Sequence, residues 1–176
     1  MSDHPEDPHP EDYEDVTVYT LDNDDELEML AAQNECTFIW ANKEGWPVGV
    51  IMSYFFEDGK FWLTLSSQRA RVAAVRRDPR VAICVTSKGS PAPQSRTVTY
   101  KGTCQIHDDP ETKAWMYPRL AAAIGRGEEW QKHFTAFLDS PRRVIFSVTP
   151  TQRIGYDGQK MGKATAEWIE AQAEKE

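Results

Sequence analysis

The chain has 176 residues, 40% of them hydrophobic, with a formal charge of −8; it is long enough for one domain with a real core, and a wholly disordered polypeptide is excluded. The charge is uneven, because residues 1–28 hold twelve Asp or Glu and no Lys or Arg, leaving 16 acidic and 20 basic groups in the other 148. An acidic tail ahead of a mildly basic folded part is expected.

Met1 to Asp15 is rich in Pro and acids with almost nothing apolar, and reads as a disordered tail. Its His4 and His9 lack a fixed frame for a metal, and no metal site is expected. An acidic start is the reverse of a secretory signal's basic n-region. No apolar run approaches the roughly 18 residues that span a bilayer. A cytoplasmic protein without a membrane partner is therefore expected.

Asn23 with Glu26 resembles a capping box, and Leu27, Leu30 and Ala31 form one apolar face, predicting a helix over 24–33. Strands then dominate. The first covers 36–41, and a turn at 42–46 contains Gly45. Residues 47–56 alternate as one long second strand, Glu57-Asp58-Gly59-Lys60 forms a tight hairpin turn, and 61–66 is the third strand. A short helix precedes a fourth strand at 81–86. After a Gly/Ser/Pro loop over 88–96, residues 97–106 alternate with Val98, Tyr100, Gly102, Cys104 and Ile106 on one side. Helices are expected at 112–123 and around Trp130, Phe134, Phe137 and Leu138, which share one helical face. A last core strand covers 143–149, with 153–156 as an extension, and a terminal helix covers 164–173. The pattern predicts a mainly β fold, a β-barrel with appended helices, and not a Rossmann sheet. The domain would span 16–160, between the 1–15 tail and a helical tail at 161–176. Cys36, Cys84 and Cys104 form no CxxC pair, fall in expected strands, and read as reduced buried thiols.

The stretch from Phe61 to Val85, FWLTLSSQRARVAAVRRDPRVAICV, holds the strongest chemical signal. Thr64, Ser66 and Ser67 supply hydroxyls where a strand runs into a helix, whose first N–H groups and dipole attract anions. Arg69 and Arg71 oppose that dipole, and a guanidinium grips phosphate through paired hydrogen bonds. Residue types alone leave open a phosphate site, solvated surface charge or an oligomer salt bridge. Arg76 and Arg77 suit the helix C-terminus, and Asp78-Pro79 stops it, so these two and Arg80 read as structural punctuation. His107 and His133 read as surface residues. No Ser-His-acid set or paired carboxylates stand out.

The run LTLSSQRARVAAVRRDPRVAICV resembles the central segment of flavin/deazaflavin oxidoreductases of the pyridoxamine-5′-phosphate-oxidase-like superfamily. The segments GWPVGVIMSYFFEDGKFWLT, RTVTYKGTCQI and RRVIFSVTPTQRIGYDGQK are similar too, so the likeness covers about residues 25–160. It implies a split β-barrel of the FMN-binding type, and a homodimer with the cofactor at the subunit interface. It further implies that Arg69 and Arg71 hold the cofactor phosphate beside Ser66 and Ser67, with Arg71 where many relatives carry Lys. Met52, Ser53 and Tyr54 would lie on the strand passing the ring, with Thr64 near its edge and Lys88 adding charge. The later Trp/Arg substrate set of true pyridoxamine-5′-phosphate oxidases is not evident.

The expected function is an F420- or FMN-dependent oxidoreductase acting on a small organic substrate. No catalytic side chain is needed, because the cofactor carries the redox chemistry. Tyr54, Trp62 and Trp115 are candidates for lining the ring's open face, although aromatics at such spacings are more often core. The alternatives are a non-catalytic flavin-, F420- or haem-binding protein on the same barrel, or a nucleic-acid-binding barrel. The acidic start argues against nucleic acid.

Overall fold

The computed structural model describes residues 16–174. Seven strands form one antiparallel sheet: β1 (Glu35–Ala41), β2 (Pro47–Ser53), β3 (Phe55–Glu57), β4 (Lys60–Ser66), β5 (Arg80–Thr86), β6 (Arg96–His107) and β7 (Arg143–Asp157). Their order is β2-β1-β5-β6-β7-β4-β3. The helices are α1 (Asn23–Ala32), α2 (Ala70–Arg77), α3 (Pro110–Ala123), α4 (Glu128–Leu138) and α5 (Gly158–Ala173), preceded by a 3-10 turn at Val16–Tyr19. Among the described residues no helix is long and apolar enough to cross a membrane.

The sheet curls into a barrel with appended helices, as the strand pattern predicts, and the barrel is of the split type that the family resemblance implies. One inward face gathers Phe38, Tyr54, Phe61, Leu63, Ile83, Val98, Phe146 and Val148, all fully buried. The long strand expected over 47–56 is in fact two. β2 pairs with β1 at one edge of the sheet, and β3 pairs with β4 at the other. The break falls at Tyr54, whose N–H donates to the Asn34 carbonyl (3.0 Å) and whose hydroxyl donates to the Leu30 carbonyl (3.1 Å). Its ring packs on Phe61 at 5.4 Å. The chain dips inward there and crosses from one sheet edge to the other. Asp58 and Gly59 take φ of 53° and 70°, the two positive angles of the expected hairpin turn.

The last strand is continuous where two pieces were expected. Lys101 faces Gln152 and Gly102 faces Pro150, so Thr151 is an extra residue in a bulge. Gly102 is required there, because a Cβ would sit 2.6 Å from the Thr149 carbonyl oxygen.

The capping box expected from Asn23 and Glu26 does not form. Asp22 is the N-cap, without a side-chain cap bond. Glu26 turns instead to the Tyr100 hydroxyl and the Arg153 guanidinium. Beside it the buried Arg96 faces Asp25 (3.1 Å), Glu28 (3.5 Å) and Asp157 (3.5 Å), while Lys160 pairs with Asp22 (2.9 Å). The acidity of α1 is therefore not part of a tail; it docks this helix on sheet cations. α5 begins six residues before the expected 164, because the Asp157 side chain accepts from Gln159 N and Lys160 N.

A second cluster, Phe55, Met116, Tyr117, Leu120, Leu138 and Ile145, seats α3 and α4 against β3, β4 and β7. Asp109 caps α3 by accepting from Thr112 N (2.7 Å), with Pro110 at the first helical position. The thiols of Cys36, Cys84 and Cys104 are free. Burial pushes those of Cys36 and Cys104 up, keeping them as unreactive thiols.

Candidate functional site

At the end of β4 the chain turns through Ser66, Ser67 and Gln68. Ser67 N–H donates to the Arg142 carbonyl (2.7 Å), and Arg69 N–H to the Ser66 carbonyl (3.0 Å). The helix starts later than the hydroxyl residues suggest, because Arg69 is the N-cap of α2. A guanidinium has no acceptor, so this end carries no side-chain cap bond. Val72 N–H donates to the Arg69 carbonyl (2.9 Å), and the positive end of the helix dipole lies at this turn.

Two residues on, Arg71 is half-buried, and its Nε is buried without a hydrogen-bond partner. Burial first, and then the charge of neighbouring Arg69, push its guanidinium below its ordinary range. A bound anion would relieve both costs.

Arg71 opens into a cavity of about 250 Å³ lined by Ile51, Met52 and Ser53 of β2, Thr64 of β4, and Arg143 of β7. The rest of the lining is Leu120 and Ile124, with Phe134, Phe137 and Leu138 of α4. Four of the nine expected site residues, Met52, Ser53, Thr64 and Arg71, therefore meet at one place. Thr64 Oγ1 donates to the Val144 carbonyl (2.9 Å), and a hydroxyl that donates keeps its acceptor capacity.

Ser66, Ser67 and Arg69 lie on the turn that leads into this wall; the two serines are half-buried and Arg69 is exposed. Tyr54 does not line the cavity, since its ring is inside the barrel. Lys88 stands exposed after β5, where its carbonyl accepts from Gln33 Nε2 (3.2 Å). Trp62 and Trp115 also stay out of the lining and pack edge-to-face at 4.7 Å in the α3 cluster.

Sequence reasoning missed Arg143, which faces Ser66 across the β4–β7 pairing. Its Nε is also buried without a partner. Only the strand pairing brings it here. Phe134 and Phe137 were visible as part of an amphipathic face, but not as a cavity wall.

The remaining arginines of the block hold the fold together. Arg77 Nη2 donates to the Ala41 carbonyl (2.9 Å), and Arg80 grips Asp78 with its shortest contact at 2.7 Å. A larger depression of about 550 Å³ lies over β1, β5 and β6, but its Arg80 is already paired with Asp78. His107 is not a plain surface residue. Its Nε2 meets Ser147 Oγ at 2.8 Å, and its ring lies 5.6 Å from Trp62. Ser147 is buried and Asp109 is engaged in capping α3, so these three do not present a nucleophile.

No curated protein sequence matches the chain. Among solved structures, a conserved hypothetical protein of Mycobacterium tuberculosis superposes with a TM-score of 0.69 at 18% identity, covering 82% of this chain and 89% of that one. An F420 reductase gives 0.57 at 20% identity, covering 72% and 94%. HutZ, a haem storage protein of Vibrio cholerae, gives 0.60 at 12% identity, covering 75% and 92%. At such identities the likeness is one of fold. The family description "pyridoxamine 5′-phosphate oxidase" matches residues 24–153, from the start of α1 into β7. With that match over most of its length, on the split barrel described above, the chain belongs to the pyridoxamine 5′-phosphate oxidase family.

Proposed function

We propose that the protein is an oxidoreductase that uses FMN or F420 and transfers hydride between this cofactor and a small organic substrate. The observation that carries the reading is the unpartnered, buried Nε of Arg71 beside the uncapped start of α2. A phosphate monoester or diester fits there, completing the helix end and satisfying the guanidinium.

The cofactor supplies the redox chemistry when bound. The chain's own residues bind and orient it. Arg69 and Arg71 take the phosphate, with the Ser66 and Ser67 hydroxyls at hand. Met52 and Ser53 would hold the cofactor's ring, and Thr64 would offer it an acceptor. Leu120, Ile124, Phe134 and Leu138 exclude water from that side. The cavity's mouth keeps two large apolar side chains open to solvent, Ile51 (63% exposed) and Phe137 (70%). These support a homodimer in which a second copy completes the site. A cytoplasmic protein is the setting that goes with this reading.

Titration of the purified protein with FMN and with F420, followed by cofactor fluorescence, tests the assignment. Saturable binding of one of them is expected, and Arg69→Ala with Arg71→Ala should weaken it strongly, since each charged contact contributes about 1.5–3 kcal/mol. Unchanged affinity in that double variant would remove the phosphate assignment. Turnover of the reduced cofactor with an added electron acceptor then separates an enzyme from a storage or carrier protein.

A further inference from the structure

Several arginines of this protein hold a carboxylate. Arg80 grips Asp78, Arg119 grips Glu57, and Arg153 grips Glu26. Among the described residues, three guanidinium Nε atoms are buried without a hydrogen-bond partner: those of Arg71, Arg96 and Arg143. Arg96 still stands 3.5 Å from the Asp157 carboxylate. Arg71 and Arg143 have no carboxylate partner among the described residues, and they line one cavity whose lining holds no acidic residue.

The backbone fixes Arg143 beside the turn that leads into α2. Arg143 faces Ser66 across the β4–β7 ladder. Residues paired in this way project to the same face of the sheet, with Cβ atoms about 4.5–5.5 Å apart. Thr64, two residues before Ser66, projects to that face as well and lines the cavity. One residue before Arg143, the Arg142 carbonyl accepts from Ser67 N–H (2.7 Å). The start of β7 is therefore bonded to the turn from which α2 departs, and α2 carries Arg71.

Two cations that share a cavity without an anion repel each other and leave donors unmet. A doubly charged anion balances both. A phosphate monoester is such an anion, with a second pKa of about 6 and three terminal oxygens. Two planar guanidinium forks can share those oxygens. A diester offers a single charge and two terminal oxygens, and a carbon substituent takes the third corner.

We propose that Arg143 is a further cofactor-binding residue, and that Arg71 and Arg143 together select a cofactor ending in a phosphate monoester, as FMN does, over one whose phosphate is a diester, as in F420. The proposal rests on the reading of this cavity as the cofactor phosphate site, and narrows it.

The test measures binding to the full chain by calorimetry at about pH 8, where a monoester is a dianion. The probes are FMN, the methyl diester of FMN, which keeps the same ring, and F420. FMN should bind about tenfold or more tighter than its methyl diester. Arg143→Met should lower FMN affinity about tenfold or more and bring monoester and diester to within roughly threefold of each other. Arg142→Met removes the same charge from the exposed neighbouring residue. It should leave FMN affinity within roughly twofold, which separates a contact from a general loss of positive potential. If Arg143→Met does not fold, Arg143→Lys serves: the charge stays, the fork is lost, and FMN affinity should fall roughly threefold or more. Melting temperatures in inorganic phosphate and in dimethyl phosphate, at equal ionic strength, read the clamp without any ring. Phosphate should raise the melting temperature more, and substitution of Arg143 should remove the difference. Equal affinity for FMN and its methyl diester, or FMN affinity unchanged by substitution of Arg143, overturns the proposal. If F420 then binds, the cofactor reading still stands. If neither FMN nor F420 binds, a phosphate effect that depends on Arg143 removes the cofactor reading and leaves the monoester clamp, whereas its absence overturns both.

Discussion

Replacing Arg71 by Met should move stability and binding in opposite directions. In the free protein the Arg71 Nε is buried without a partner, and both burial and Arg69 disfavour its charge. An unsatisfied buried donor costs about 1–3 kcal/mol. Because the residue is only half-buried, solvent around the rest of the guanidinium reduces that penalty. Methionine keeps the length and the apolar stem without the orphaned donor, so a gain of about 0.5–1 kcal/mol in the free protein is expected. Cofactor binding should fall by about 1.5–3 kcal/mol, or tenfold to a hundredfold, because a charge-assisted contact to phosphate is lost. Urea unfolding with and without FMN or F420 measures both quantities, since a ligand that binds only the folded state raises the midpoint by mass action. The wild type should gain more from the cofactor than the variant does. A free variant more than about 1 kcal/mol less stable than the wild type would refute the reasoning, because Arg71 would then be holding the fold together.

Three further outcomes follow from the fold. Arg96→Met should destabilise by about 3–5 kcal/mol, since it leaves the buried Asp157 without its cation and frees Asp25 and Glu28 of α1; adding Asp157→Asn should recover part of that in chemical denaturation. Gly102→Ala should cost about 1–3 kcal/mol in the same assay, because the new Cβ meets a backbone oxygen at 2.6 Å. Burial holds the His107 pKa below its ordinary 6.5, against the opposing pull of Asp109. The unfolded chain therefore binds the proton first. The contribution of neutral His107 is fully present above pH 6.5 and is lost as pH falls through the lowered value. Melting temperatures between pH 7 and pH 5 should drop less steeply in His107→Gln than in the wild type.

Much of the fold was legible because the strands alternate. Val98, Tyr100, Gly102 and Cys104 all lie on the buried side of β6, as a period of two requires. The misread places are those where a long-range bond overrides local pattern. Tyr54 sits in an unbroken alternation, yet its bonds to Asn34 and Leu30 break the strand. Glu26 occupies the right spacing for a capping box, yet an ion pair with Arg153 on β7 outcompetes the helix end. Of the cavity's cations, Arg71 could be found because it stands in the first turn of a helix, where a cation lacks a local reason to be. Arg143 gave no such sign.

The sequence by itself determined the elements, the acidic start and the arginine block, because hydrophobic period, turn residues and helix-end charge act over a few residues. Only the tertiary structure decided what those pieces do together. It divided one strand between two sheet edges, and it converted α1's acidity into a dock for Arg96 and Arg153. It also set Arg71 and Arg143, 72 positions apart in the chain, around one cavity walled by α4. Those arrangements depend on register and packing between distant segments, and no local pattern of residues encodes them.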